Sequence, residues 1–297
     1  MTTPSRAFAP LDFLQLISIA LIWGVNNVAA KIAVDAFPAM MTVSMRFAIV
    51  LALLIFWLRP PPRESWKPFA LMLLFVGPLH FGIQYAGLKM ATDIAPMVVA
   101  MQLWAPASVV FAALLLKENV TPLRWAGVAV AFVGTASMNF DPAVFAQGWA
   151  LVCVVCAACC YAFGTVLVRR MGGGVDAWSM QAWLALATMP TMTLASLTLE
   201  SGQIEAARNA SWLAWACVIF GAVISGVVAN AFMFRLVQRY EVSRTTPYLL
   251  TTPVISLALA GFALGNAITP QIMLGAALTI GGVALVALAE RRFKAVA

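Results

Sequence analysis

Ten runs of apolar residues follow one another along the chain, at about 12–34, 38–58, 68–88, 93–116, 122–139, 147–168, 176–199, 212–236, 242–264 and 270–289. A run of roughly twenty residues, wound as a helix, crosses a ~30 Å hydrocarbon core. The polar interruptions are short and carry helix breakers: Pro60-Pro61-Pro62 after the second run and Gly172-Gly173-Gly174 after the sixth. Asn139-Phe140-Asp141-Pro142 divides the fifth run from the sixth. No stretch is left for a soluble domain. The pattern predicts an all-α polytopic membrane protein with ten transmembrane helices.

The ten runs read as one five-span unit written twice, over 12–139 and 147–289. Glu118-Asn119-Val120-Thr121-Pro122, followed by Gly127 and Gly134, recurs 148 residues later as Asn266-Ala267-Ile268-Thr269-Pro270, followed by Gly275 and Gly282. Weaker echoes keep the same order: Trp23-Gly24 with Phe163-Gly164, Ser44-Met45-Arg46 with Ser179-Met180-Gln181, and Pro106 with Pro253. An odd number of spans per unit inverts the second copy, and inverted repeats enclosing a shared central cavity are a common architecture of secondary transporters. Gly127, Ala131 and Gly134, and likewise Gly275, Thr279 and Gly282, are small residues at helical spacing. They predict close helix packing within each half, with a homodimer seam on the same helices as the alternative.

Composition agrees: 63% of residues are apolar and 10% charged, where soluble chains carry about 25% charge. The net charge of +7 does not gather into a nucleic-acid surface. Fourteen of the 18 basic residues fall at alternate span ends: Arg6, Arg59, Arg63, Lys67, Lys117, Arg124, Arg169, Arg170, Arg235, Arg239, Arg244, Arg291, Arg292 and Lys294. Lys31, Lys89 and Arg208 lie on the other face, and Arg46 lies inside a span. The positive-inside rule then puts both termini in the cytoplasm. Met1–Pro10 has no apolar core of its own and does not read as a cleaved signal peptide. The five cysteines, Cys153, Cys156, Cys159, Cys160 and Cys217, read as packing residues, since no second Cys/His cluster completes a metal site. No cofactor is expected.

Polar groups inside the spans carry the functional reading, because each needs a partner or a wet cavity. All eleven acids, among them Asp93, lie at or near span ends, so the usual proton-carrying carboxylate is missing at mid-span. His80 is the titratable candidate for proton coupling, with Gln84 one turn on. Trp23, Asn26 and Asn27 form a stripe on span one; the two amides read either as an interhelical clamp or as substrate ligands. Span four offers Gln102 and Trp104, with a bend expected at Pro106. The second half adds Tyr161, Trp183, Asn230 and Tyr248, and Tyr161 is expected to face Trp23. Arg46 reads as snorkelling outward, pairing with backbone carbonyls, or holding a substrate carboxylate. Trp57, Trp66, Trp125, Trp149, Trp178 and Trp212 sit near span ends as interfacial anchors.

Ten spans in two repeats, Trp23-Gly24 with Lys31, Arg46-Phe47, and Glu118 before Thr121-Pro122 resemble the drug/metabolite transporter superfamily of EamA type. Leu103-Trp104-Ala105-Pro106, running on to Phe111, resembles the amino-acid exporters within it. The resemblance implies a basket of ten helices around a central cavity, exporting amino acids and cationic drugs from a bacterial cytoplasm. Asn266 departs from the family pattern, in which the second repeat also carries a Gly-Glu pair.

The expected function is therefore an inner-membrane carrier exporting amino acids or similar amphipathic metabolites by alternating access. Its cavity would be lined by Trp23, Asn26, His80, Gln84, Gln102, Trp104, Tyr161, Trp183, Asn230 and Tyr248. The alternatives are a multidrug or cationic-compound exporter and, more remotely, a channel. No ATP-binding loop is present, and one histidine with no Ser-His-Asp set argues against an enzyme.

Overall fold

The computed structural model describes residues 8–91, 97, 100–138, 148–255 and 270–296, without the side chains of 138, 272 and 290–296. Arg6, Asp93, the 139–142 junction, Asn266–Thr269 and the side chains of Arg291, Arg292 and Lys294 lie outside this description. Every regular element among the described residues is helical. Six helical stretches are long and apolar enough to cross a membrane: Pro10–Ala36, Ala39–Trp57, Arg63–Met90, Trp149–Gly174, Ala177–Leu199 and Trp212–Arg239. The helices Trp104–Leu115, Pro122–Met138 and Pro270–Val296, and the start of a further one at Val242–Thr245, occupy the four remaining predicted positions.

The first helix shows how an almost uniformly apolar sequence chooses its faces. Leu14, Ile17, Leu21, Val25 and Val28, spaced three or four apart, are exposed. Leu16, Ile19, Ala20 and Ala30 on the opposite stripe are buried. In lipid the exposed stripe incurs no hydrophobic penalty, so the inward face is chosen by small residues and by polar groups that need partners.

Three helices are interrupted, two of them where the sequence suggested straight spans. Arg63–Met90 passes through a wide, π-helical turn at Phe75–Leu79, which contains Pro78 and delivers His80. Trp212–Arg239 does the same over Gly221–Ala229 and delivers Asn230. Such turns mark functional positions often, because each rotates the side chains that follow. The fourth predicted span breaks before the proline. The amide of Leu103 donates to the Ala100 carbonyl at 3.1 Å, and that of Ala105 to the Gln102 carbonyl at 3.1 Å. This tight turn at Gln102–Leu103 lies four residues before Pro106, whose ring denies the Gln102 carbonyl its ordinary helical donor.

The Gly-rich helices correct one expectation. Pro122–Met138 packs along Pro270–Val296, so the small-residue stripes join the two halves to each other instead of packing within each half. A Cβ on Gly127 would stand 2.7 Å from the Gly282 carbonyl oxygen, and one on Gly134 would stand 2.8 Å from that of Gly275. Thr279 Oγ1 donates to the Gly275 carbonyl at 2.8 Å and lies 3.3 Å from Thr135 Oγ1.

Two carboxylates clasp helix starts at opposite ends of the bundle. Glu118 accepts from the amides of Val242 and Ser243, both at 3.1 Å. Glu200 accepts from those of Met40 and Met41 at 2.8 and 3.1 Å. The first clasp lies beside the start of the 27-residue first helix, where Tyr240 donates to Asp12 at 2.7 Å. The second lies just beyond that helix's end. Burial, and next the Asp12 hydrogen bond, raise the Tyr240 phenol above its ordinary pKa and keep it a donor. Lys117, immediately before Glu118, takes a left-handed backbone with φ 54°, a strained choice for a residue other than glycine.

Candidate functional site

A cavity lies among the helices. Eight of the ten predicted residues line it: Trp23, Asn26, His80, Gln84, Gln102, Trp104, Tyr161 and Asn230. Sequence reasoning missed Phe81, Met101, Ser225 and Thr252 as lining residues, while Arg46 and Asn27, for which it offers a substrate contact as one reading, line it too. A smaller lobe bounded by Arg46, Gln84, Tyr85, Met97 and Met101 continues the same space.

Part of the lining is an aromatic cluster. Trp23, Trp104 and Tyr161 meet edge to face in all three pairings, with centroids 5.9, 5.9 and 5.3 Å apart. The expected facing of Trp23 and Tyr161 is thus present, and Trp104 completes a trio. The turn at Gln102–Leu103 lets Gln102 and Trp104 both line the cavity, which two residues so spaced on a straight helix cannot do. His80 packs against Tyr161 at 4.8 Å. Its Nδ1 lies 2.9 Å from the Ala157 carbonyl oxygen. A carbonyl only accepts, so Nδ1 carries the proton and a neutral ring leaves Nε2 as the acceptor.

Most of the remaining lining is polar. Arg46 is 6% exposed and donates through Nη2 to the Gly221 carbonyl at 2.6 Å. Its guanidinium lies 5.4 Å from the Tyr85 ring centroid and 5.9 Å from that of Phe81, a stacking that favours a desolvated cation. A Cβ on Gly221 would come within 2.8 Å of Arg46 Nε, so the glycine makes room for the guanidinium. Of the three readings offered for Arg46, snorkelling fails and pairing with a backbone carbonyl holds. Asn26 Oδ1, Gln102 Oε1 and the Tyr161 hydroxyl are buried without a hydrogen-bond partner.

Trp183 and Tyr248 stand elsewhere. Trp183 lies under two turns from the start of its helix at Ala177, too near the end of the bundle to reach the middle. Its indole N–H donates to the Arg59 carbonyl at 2.9 Å, and its ring packs on Trp66 and Phe69. Tyr248 lies within the tight helical stretch Thr246–Thr251 and turns its ring toward Phe8 and Phe13, at 5.5 and 6.3 Å. With Tyr240 against Phe8 at 4.4 Å, these rings form a layer at the arginine-rich end of the bundle.

The model of the EamA-like transporter family matches residues 12–140 and again 148–288. A Salmonella typhimurium protein named probable amino-acid metabolite efflux pump is 24% identical over 283 residues, covering 91% of this chain and 92% of that protein. The uncharacterized inner membrane transporter YedA of Escherichia coli is 25% identical over 301 residues, covering 98% and 94%. A crystal structure superposes with a TM-score of 0.75 at 21% identity, covering 94% of this chain and 98% of the other, and so shares its fold.

Proposed function

We propose, from the premise that the chain belongs to the EamA-like transporter family and is a multi-pass membrane transporter, that it exports amino acids or similarly small amphipathic metabolites across a bacterial inner membrane. The observation that carries this reading is the cavity, whose lining combines three aromatic rings packed edge to face with several amides and a guanidinium. Such a site suits a ligand with one apolar and one polar part. The names of the efflux-pump relative and of the inner membrane relative agree with it.

The mechanism proposed is alternating access between two inverted five-helix repeats, 12–139 and 147–289, making ten spans with both termini cytoplasmic. The double family match supports the repeat, as do the wide turns that deliver His80 and Asn230 from corresponding spans. The clasps of Glu118 and Glu200 at opposite ends are suited to holding one side closed while the other opens. The arginine-rich end is assigned to the cytoplasm by the positive-inside rule. A homodimer would need a surface other than the Gly127–Gly282 stripe, which already joins the halves.

Reconstitution into liposomes with labelled amino acids, with and without a pH gradient, tests this reading. Export of a cationic dye with no amino-acid movement would replace it with the multidrug alternative. His80→Ala separates the energy models: loss of gradient-driven flux with downhill flux kept assigns His80 the proton, whereas equal loss of both makes it a wall.

A further inference from the structure

We infer that Arg46 is the docking point for a carboxylate of the transported molecule, so that the substrate must carry a free acid group beside its apolar portion. This rests on the exporter reading above and narrows it.

Arg46 brings five N–H donors into the bundle. One nitrogen is held by the Gly221 carbonyl, two flanks are covered by the rings of Phe81 and Tyr85, and the side chain faces both lobes of the cavity. Among the described residues the ion pairs are Lys31–Asp35, Arg124–Glu241 and Arg239–Asp12, none of which involves Arg46. Among the described residues, no carboxylate lines either lobe. A buried guanidinium with carbonyl and π partners but no anion leaves its charge uncompensated, a costly arrangement at membrane depth. A ligand carboxylate supplies the missing anion in the geometry that guanidinium favours.

The same cavity specifies the rest of the molecule. Asn26 Oδ1 and Gln102 Oε1 are buried acceptors without donors, and an ammonium group offers three. The Trp23–Trp104–Tyr161 trio supplies an apolar, aromatic surface for a side chain. Carboxylate, ammonium and apolar side chain together describe a zwitterionic α-amino acid. Amines and amino-acid amides lack the anion and bring a positive charge toward Arg46.

Counterflow in proteoliposomes of the full chain tests this, using labelled L-phenylalanine and L-leucine. Unlabelled phenylalanine, phenylalaninamide, phenethylamine and N-acetylphenylalanine serve as competitors. The amide and the amine are expected to compete about tenfold to a hundredfold more weakly than the acid, whereas N-acetylphenylalanine keeps part of its affinity. Arg46→Gln is expected to bring the acid down to the level of the amide, and Arg46→Lys to keep part of the preference. Because Arg46→Gln also removes the bond to Gly221, the competitor series on the unaltered protein stands as a test by itself. Equal competition by acid and amide overturns the docking role and leaves the exporter reading intact. No amino-acid counterflow, with a cationic dye transported, overturns both.

Discussion

Glu118→Ala should loosen the arginine-rich end of the bundle. The carboxylate takes two backbone amides, Val242 and Ser243, at 3.1 Å each. A hydrogen bond to a charged group contributes about 1.5–3 kcal/mol when buried, but Glu118 is half-exposed, so the smaller cost of a lost helix cap, about 1 kcal/mol per bond, is the better guide. Removing the negative charge from a helix start adds roughly 0.5 kcal/mol. The expected loss is about 2–3 kcal/mol for alanine and roughly half that for glutamine, which keeps one acceptor. At about 2–4 °C per kcal/mol in a chain of this size class, alanine should lower the unfolding midpoint by about 4–12 °C, read by tryptophan fluorescence in detergent. The clasp should also govern access. Ser243 is fully buried, and a cysteine placed there, with the five native cysteines replaced, should react faster with a membrane-impermeant maleimide once Glu118 is alanine. Glu200→Ala is the matched perturbation at the other end. A Glu118→Ala midpoint within about 1 °C of the parent, with unchanged labelling, would refute the clasp.

Three further outcomes are expected. Gly127→Ala places a methyl group 2.7 Å from the Gly282 carbonyl and should cost about 1–3 kcal/mol, seen as a lower midpoint; an unchanged midpoint would mean that the seam can open freely. Lys117→Gly removes a side chain from a left-handed position and should stabilise by up to about 1 kcal/mol, with transport kept. Trp183→Phe should leave competition among substrates unaltered while lowering the midpoint slightly, since its N–H holds the Arg59 carbonyl outside the cavity; a changed substrate order would put Trp183 back in the site.

Hydropathy reveals which residues enter the bilayer, and the scarcity of polar groups at mid-depth reveals which must meet one another. That is why Trp23, Asn26, His80 and Gln102 could be read as neighbours from spans far apart in sequence. It does not reveal where a helix loosens its winding. Pro78 was a usable signal for the wide turn before His80; over Gly221–Ala229 no proline stands, and Gly221, Ser225 and Gly226 are the weak hints. Trp183 and Tyr248 were misplaced because depth along a helix depends on where that helix starts. Arg46 was visible as a charge, but the glycine that admits it comes 175 residues later in another span. The partner of the Gly127 stripe was equally hidden, because small residues at helical spacing announce close contact without saying with whom.

The seam between Pro122–Met138 and Pro270–Val296 also sets the order in which the protein can be made. Ala131 and Thr279, which touch across it, are 148 residues apart. Synthesis proceeds at about 5–20 residues per second, so the earlier helix waits roughly 7–30 seconds, its glycine face against lipid, before its partner exists. Closure of the fold is therefore a late event between distant segments, and assembly is most open to wrong partners during that interval. A nascent chain stalled before residue 270 should be the species that quality-control proteases find first.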